Sequence, residues 1–142
     1  MILIGLHPKL FATTFYAINT LADLAHCKTH QTAQEKGESI AYFQASMDKD
    51  FALCSYAKTH HISFAVYVDN VVEFLACAAF LPKYLIIDKN PKIYQDLVDT
   101  YLLDSKVLAI IEQESQIPSL ASAGIDGVVF RQYLNNPDID LP

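Results

Sequence analysis

Four charged side chains in the second half of this chain follow apolar runs, and they are the residues best suited to chemistry. Asp69, Asp88, Glu112 and Arg131 each come at or directly after the end of such a run. Carboxylates that lie close together can hold a divalent cation or raise one another's pKa for acid–base work. A guanidinium can clamp an anionic group bidentately. These four residues are therefore the candidate ligand-binding site.

The elements that must position these side chains are strands of a parallel sheet. The apolar runs cover residues 64–68, 84–87, 107–111 and 128–130, and a helix-like segment separates each run from the next. The runs lack polar alternation, which is typical of strands covered on both faces, and crossovers of this length connect parallel strands. Ligands of open parallel sheets bind beyond the carboxyl ends of the strands. We therefore expect the four charged residues to lie along one edge of the sheet.

Two ordinary explanations compete with a ligand site at this edge. A polar residue at a strand end often only solvates the turn, or it caps the following helix. Asn70, Asn90 and Ser115 are better placed as caps, which leaves the acidic residues available for another role. An ion pair between Arg131 and one of the carboxylates would also account for the pattern. The sequence leaves these alternatives open.

The histidines and cysteines give weaker signals. His26, Cys27 and His30 could share one helix face and approach a metal, but no further donor is spaced nearby, so we expect no zinc there. Cys54 and Cys77 fall on apolar helix faces, which favours packing over nucleophilic catalysis. Three widely spaced cysteines without a C-x-x-C pair indicate reduced thiols in a cytoplasmic protein.

Missing motifs exclude several kinds of nucleotide site and hydrolase site. The chain has only four glycines, and it contains neither G-x-G-x-x-G nor G-x-x-x-x-G-K-[ST]. A dinucleotide or P-loop nucleotide site would therefore lack its backbone cradle. No G-x-S-x-G nucleophile elbow is present either. We accordingly expect no cofactor and no catalytic residue.

The N-terminal third has a less regular pattern. Residues 2–4 are predicted to form a short strand. Residues 9–25 fit either one helix or a strand over residues 14–18 followed by a helix that Thr20 caps, and the clustered β-branched and aromatic residues favour the strand. Residues 28–38 are polar and are predicted to form a loop. A further strand at 40–43 and a helix at 48–59 lead into the regular second half.

The last third resembles known domains. The run Val107–Ile111, a helix and then the segment from Gly124 to Arg131 resemble the end of a response-regulator receiver domain, and also late β/α units of phosphate-binding barrels. The run that ends at Asp88 is similar to a receiver's phosphoacceptor strand. However, a receiver has Ser or Thr where Glu112 stands and Lys where Arg131 stands, and it has an acidic pair after its first strand. The resemblance therefore implies a fold and no phosphoryl transfer.

Together these patterns predict one α/β domain over residues 1–134, followed by an acidic, proline-containing tail over residues 135–142. The expected architecture is a mainly parallel open sheet of about six strands with flanking helices, a three-layer sandwich like that of flavodoxin or receiver domains. The net charge of −6 argues against nucleic acid as a partner. No apolar run reaches the roughly 18 residues of a membrane span, and the first residues do not resemble a signal peptide.

Helical segments differ in how their apolar residues are distributed. The helix from Pro91 carries Ile93, Leu97 and Tyr101 at four-residue spacing, a stripe that should face the core. The segment from Val71 to Leu81 is apolar all round apart from Glu73. A helix of this kind must be covered on both sides, either by the N-terminal region or the tail after residue 134 of the same chain, or by another subunit. We expect a homo-oligomer, most simply a dimer, with this segment near or in the interface.

Two classes of function remain for such a chain. The first is a non-catalytic cytoplasmic domain that associates with itself and binds a small anionic ligand or a protein partner at the carboxyl ends of its strands. The second is a small enzyme that uses the strand-end carboxylates as metal ligands or acid–base groups on a phosphorylated metabolite. The absence of a nucleophile–base motif favours the first class.

Overall fold

The structure, a computed structural model, describes residues 1–33 and 37–134. The described residues form seven strands: β1 Ile2–Ile4, β2 Thr13–Ala17, β3 Glu38–Gln44, β4 Phe64–Tyr67, β5 Tyr84–Ile87, β6 Lys106–Ile111 and β7 Gly127–Phe130. They also form six α-helices: α1 Leu21–Ala33, α2 Ala52–Thr59, α3 Val71–Ala78, α4 Pro91–Tyr101, α5 Ile117–Ser122 and α6 Arg131–Leu134. Short 3₁₀ turns cover Ala45–Met47, Lys49–Phe51 and Glu114–Gln116.

All seven strands are parallel and form one sheet in the order β1-β7-β6-β5-β4-β3-β2. This confirms the α/β class with a parallel open sheet, and the curled sandwich is consistent with a flavodoxin- or receiver-like fold. The sheet has seven strands rather than about six, and residues 13–17 form the strand that the sequence favoured over a helix. From β2 to β7 each strand lies beside the next one along the chain.

Two buried clusters lie on opposite faces of this sheet. The first cluster joins strand residues to helix residues, among them Leu24, Cys27, Leu53, Cys54, Phe74, Cys77 and Val98. The second cluster contains strand residues from all seven strands and Leu134 of α6. Ile4 of β1 and Phe15 of β2 belong to this second cluster although their strands are the opposite edges of the sheet. The sheet is therefore curled, and α6 contacts β2 across the concave face.

Helix starts follow the local sequence in two places. The Thr20 hydroxyl accepts from the backbone N–H of Asp23 at 3.2 Å, while the Asp23 carboxylate accepts from the N–H of Thr20 at 3.1 Å, a reciprocal cap for α1. The Asn70 side chain accepts from the N–H of Glu73 at 2.9 Å and caps α3. The sequence predicted both caps.

The predicted polar loop over residues 28–38 is wrong for its first part, because α1 continues to Ala33. Gln31 explains the extension. Its side-chain carbonyl accepts from the N–H of Ser63 at 3.0 Å, and its NH₂ donates to the carbonyl of Ser63 at 2.8 Å. This pair of bonds ties a polar residue to the start of β4, which a local pattern does not show. Residues 34–36 of the predicted loop lie outside the described residues.

The helix predicted from residue 48 begins later, at Ala52. Asp50 and Phe51 have φ values of 54° and 56°, so the backbone is left-handed there. The Asp48 carboxylate then accepts from the N–H groups of Leu53 at 2.6 Å and Cys54 at 3.0 Å. Asp48 thus satisfies the free N–H groups of the first turn from outside the helix.

The predicted core stripe of α4 is wrong at its two ends. Leu97 packs against the first buried cluster, but Ile93 and Tyr101 are more than half exposed, and the buried residues of the helix are Tyr94, Gln95 and Val98. Gln95 accounts for the rotation, because its side-chain carbonyl accepts from the N–H of Asp126 at 2.9 Å. A buried amide needs such a partner, and the orientation of α4 that allows this hydrogen bond leaves Ile93 and Tyr101 on the exposed side of the helix.

Near the end of the chain, a 3₁₀ turn capped by Gln113 and Gln116 precedes α5, where Ser115 was predicted to open the helix. Gly124 has φ +80°, which confirms its predicted role as a left-handed helix stop. The predicted tail, residues 135–142, lies outside the described residues. No helix in the described part of the chain is long and apolar enough to cross a membrane.

Candidate functional site

Three of the four strand-end charged residues make direct contact. The Arg131 side chain donates from Nη2 to Asp88 Oδ1 at 2.7 Å and from Nε to Glu112 Oε1 at 3.1 Å. Because the strands are parallel, these residues lie at the same edge of the sheet, as the sequence predicted. The contacts are the ion pairs that the sequence analysis named as an alternative to a ligand site, so they do not by themselves indicate a ligand.

The strand order explains why Arg131 reaches both acids. Asp88 follows β5, Glu112 follows β6 and Arg131 follows β7, and these strands are neighbours in the order β7-β6-β5. Two strand spacings amount to about 10 Å, which a long arginine side chain can cover. The hydrogen bond that Arg131 donates to Asp88 is the main reason that the pKa of Arg131 is raised. The guanidinium is part-exposed and keeps N–H groups for a further acceptor.

Asp69 is placed differently from the other two acids. It follows β4, and its backbone N–H donates to the Glu73 carboxylate at 2.9 Å as part of the cap of α3. Its own carboxylate accepts a hydrogen bond from the Tyr67 hydroxyl. Among the described residues, the ion pairs at this edge join Arg131 to Asp88 and to Glu112, and none includes Asp69.

A cavity of about 430 Å³ opens at this edge, on the concave side of the sheet. It is lined by Tyr42, Gln44, Tyr67, Asp69, Ile110, Arg131 and Leu134. Ile110 and Leu134 are buried members of the second core cluster, so they form an apolar part of the wall. The other residues of the lining are polar or aromatic. The cavity falls within the roughly 300–1,000 Å³ typical of small-molecule sites.

Sequence reasoning missed Tyr42, Gln44 and Tyr67 in this cavity. Gln44 at the end of β3 pairs in register with Tyr67 at the end of β4. Alternate residues of a strand face the same side of a sheet, and Tyr42 and Gln44 are two apart on β3. The available signal in the sequence was the spacing of Tyr42 and Gln44, which are two residues apart at the end of β3. Without the curvature of the sheet, that spacing does not indicate a cavity.

Both tyrosines are hydrogen-bond donors at neutral pH. Burial is the largest cause that raises the pKa of Tyr42 to about 12, and it also raises that of Tyr67 to about 12, with added effects from the bond to Asp69 and its charge. At neutral pH the two hydroxyls therefore keep their protons. The Tyr67 hydroxyl uses its proton for Asp69, so Tyr42 and Arg131 are the donors of this set that face a ligand.

A second cavity of about 280 Å³ adjoins the first one. Its lining consists of Tyr67, Val68, Asp69, Asp88, Lys89 and Tyr94. Tyr67 and Asp69 belong to both linings, so they form the wall between the two cavities. Lys89 adds a second positive charge to the edge.

No family model matches the sequence of this chain, and no curated protein matches it significantly. What the edge can do must therefore be argued from its geometry and its charges.

Metal coordination finds no support in the described part of the chain. Within it, no group of three or more His, Cys, Asp or Glu residues is arranged to hold a metal ion. The side chain of His30, a member of the possible metal group near residue 27, lies outside the described residues. Cys27 is buried, and burial raises the pKa of its thiol to about 11, which favours packing over reactivity.

The outer face of α3 exposes apolar side chains, as the sequence indicated. Val72 is 77% exposed, and Leu75 and Leu81 are also exposed. The exposed stripe of α4 adds Ile93 and Tyr101 to this side of the protein. The two helices pack together through the rings of Phe74 and Tyr94, whose centroids are 5.0 Å apart. We call the exposed residues Val72, Leu75, Leu81, Ile93 and Tyr101 the α3–α4 surface.

Proposed function

We propose that this chain is a non-catalytic domain that binds a small ligand at the carboxyl edge of its sheet, through an anionic group of that ligand. The cavity of about 430 Å³ that Arg131 and two protonated tyrosines line carries this proposal. A charged donor beside neutral donors suits a carboxylate or phosphate oxygen.

The lining of this cavity also supports a non-catalytic role. The residues described around it include no Ser, Thr, Cys or His, so no nucleophile–base pair of those types lines it, and its ionisable groups are Asp69, Arg131 and the two tyrosines. Tyr67 is bonded to Asp69 and keeps its proton at neutral pH. A binding role is the simplest use of such a set of groups.

Replacing Arg131 with glutamine should weaken the binding of a small carboxylate or phosphate ligand by about 10- to 100-fold, the loss of a charged hydrogen bond. Isothermal titration calorimetry of the full chain against a panel of small carboxylates and phosphates measures this change. Lys92→Gln is the matched control, because Lys92 is an exposed lysine on α4 that pairs with Asp96 away from the cavity. Equal affinity of wild type and Arg131→Gln for every ligand found would refute the proposed site.

We propose in addition that the domain associates with itself through the α3–α4 surface. Val72 and Leu75 offer an apolar helix face to solvent, and only Glu73 brings charge to α3. A symmetric dimer is the commonest way to cover such a face. Phe80, another residue of the segment 71–81, stacks on Phe51 at 5.5 Å between ring centroids and is half-buried, so it serves the fold of the single chain.

We therefore expect Val72→Asp to raise the dimer dissociation constant by at least about tenfold, because each copy loses a buried valine and gains a charge. Sedimentation equilibrium at micromolar concentration measures this shift. Leu10→Asp is the matched control, since Leu10 is an exposed apolar residue between β1 and β2. A wild-type protein that is monomeric throughout, or a variant that dimerises as tightly as the wild type, contradicts the proposal.

A further inference from the structure

Asp69 is the acidic residue in the lining of the cavity of about 430 Å³, and its carboxylate has no basic partner among the described residues. Arg131 pairs with Asp88 and Glu112, while Asp69 receives only the neutral Tyr67 hydroxyl within the residues that the structure describes. Asp69 nevertheless faces the same cavity as Arg131. The cavity thus contains one acidic group that is available to a positive charge.

The charge balance of the edge points in the same direction. Asp69, Glu73, Asp88 and Glu112 contribute four negative charges, and Lys89 and Arg131 contribute two positive charges. A ligand with only negative charge would meet this excess of carboxylates at short range, where like charges repel strongly. A ligand with one positive and one negative group would find an oppositely charged side chain for each of its two groups.

The polar groups of the cavity fit such a ligand. Arg131 keeps unused N–H groups, and the Tyr42 hydroxyl and the Gln44 amide are further donors, so a carboxylate can lie near them. Asp69 can accept from an ammonium group. Ile110 and Leu134 are only 7% and 8% exposed, so they add a small apolar patch to the cavity that a short hydrocarbon side chain can cover.

We infer that the ligand is a small zwitterion of the amino-acid class, with its carboxylate at Arg131, its ammonium group at Asp69 and an aliphatic side chain against Ile110 and Leu134. This inference rests on the proposed function, since it takes Arg131 as the group that holds the anion. It adds the positive group that the ligand must carry.

Three matched probes test the inference in calorimetric titrations of the full chain. L-Leucine carries both charged groups, 4-methylpentanoate lacks the ammonium group, and 3-methylbutylamine lacks the carboxylate. We expect leucine to bind and each of the other two to bind at least about tenfold more weakly, as for the loss of one charged hydrogen bond. Inorganic phosphate, which carries only negative charge, should bind more weakly than leucine as well.

Two variants assign the two halves of the ligand. Asp69→Asn should weaken the binding of leucine by about tenfold or more. The binding of 4-methylpentanoate should be unchanged or slightly tighter, because the substitution removes a negative charge near its carboxylate. Arg131→Gln should weaken the binding of leucine and of 4-methylpentanoate but not the binding of 3-methylbutylamine. Asp104→Asn is the matched control, since Asp104 is an exposed acid between α4 and β6 and outside both cavities.

The outcomes distinguish the zwitterion inference from the proposed anion site. If 4-methylpentanoate or phosphate binds as tightly as leucine, the zwitterion inference fails and the proposed anion site stands. If leucine binds and Asp69→Asn has no effect, the role given to Asp69 is wrong. If none of the probes and no ligand of the wider carboxylate and phosphate panel binds, both the inference and the proposed function are overturned.

Discussion

Replacing Phe74 with alanine should lower the free energy of unfolding by about 3–5 kcal/mol, the usual cost of removing a buried aromatic ring. Phe74 lies on the inner face of α3 with no exposed surface, and its ring packs against that of Tyr94. The cavity left behind would lie where α3 and α4 meet. Urea denaturation followed by circular dichroism measures the loss.

Phe11→Ala provides the matched control for this change. Phe11 lies between β1 and β2 and is 45% exposed, so the same truncation removes much less buried surface and should cost less than about 1 kcal/mol. Similar losses for the two variants would show that Phe74 does not hold α3 and α4 together in the way described.

Gly127→Val should destabilise the protein by about 3 kcal/mol or more, at the upper end of the range for overpacked sites. A Cβ atom at this glycine of β7 would lie 2.6 Å from Ile2 Cβ, 2.8 Å from the Ile2 carbonyl oxygen and 2.8 Å from a methyl group of Leu108. The carbonyl oxygen cannot move without separating β1 from β7, where Ile2 pairs with Gly127. Valine favours strands, so a loss of stability would come from the clash alone.

Gly124→Ala separates steric clash from backbone strain. Gly124 has φ +80° and nothing within 4 Å of an added Cβ. Alanine there should lower the free energy of unfolding by only about 1–2 kcal/mol, the cost of the left-handed conformation. Denaturation midpoints of the two variants, measured side by side, test this order. If Gly127→Val were as stable as Gly124→Ala, the close approach of β1 to β7 would have to be looser than the structure shows.

Several elements could be predicted because their causes are local. Four β-branched or aromatic residues favoured a strand at β2, and the residue directly before α1 and α3 caps each helix by accepting from the N–H three residues further on. The strand-end positions of Asp88, Glu112 and Arg131 were also visible. Local hydrogen bonds and alternation along a few residues are sufficient for such assignments.

Other features needed contacts between distant parts of the chain. The length of α1 depends on Gln31 meeting Ser63, and the orientation of α4 depends on Gln95 meeting the N–H of Asp126. In both cases a polar side chain is anchored by a backbone group about 30 residues away. Apolar periodicity assigns such residues to the solvent-facing side of a helix. It therefore predicted too early an end for α1 and the wrong buried face for α4.

The sequence by itself determined the class of the fold, the parallel arrangement of the strands and the edge at which the charged residues lie. Only the tertiary structure decided the strand order, the curl of the sheet and the partners of Arg131. It also decided that Tyr42, Gln44 and Asp69 share a cavity with Arg131. The physical reason is one of distance along the chain. Strand formation and parallel crossovers follow from short-range sterics and hydrogen bonding. Which side chains meet beyond the strand ends depends on the curvature of the whole sheet, and that curvature brings residues of the edge strands β1 and β2 into one buried cluster.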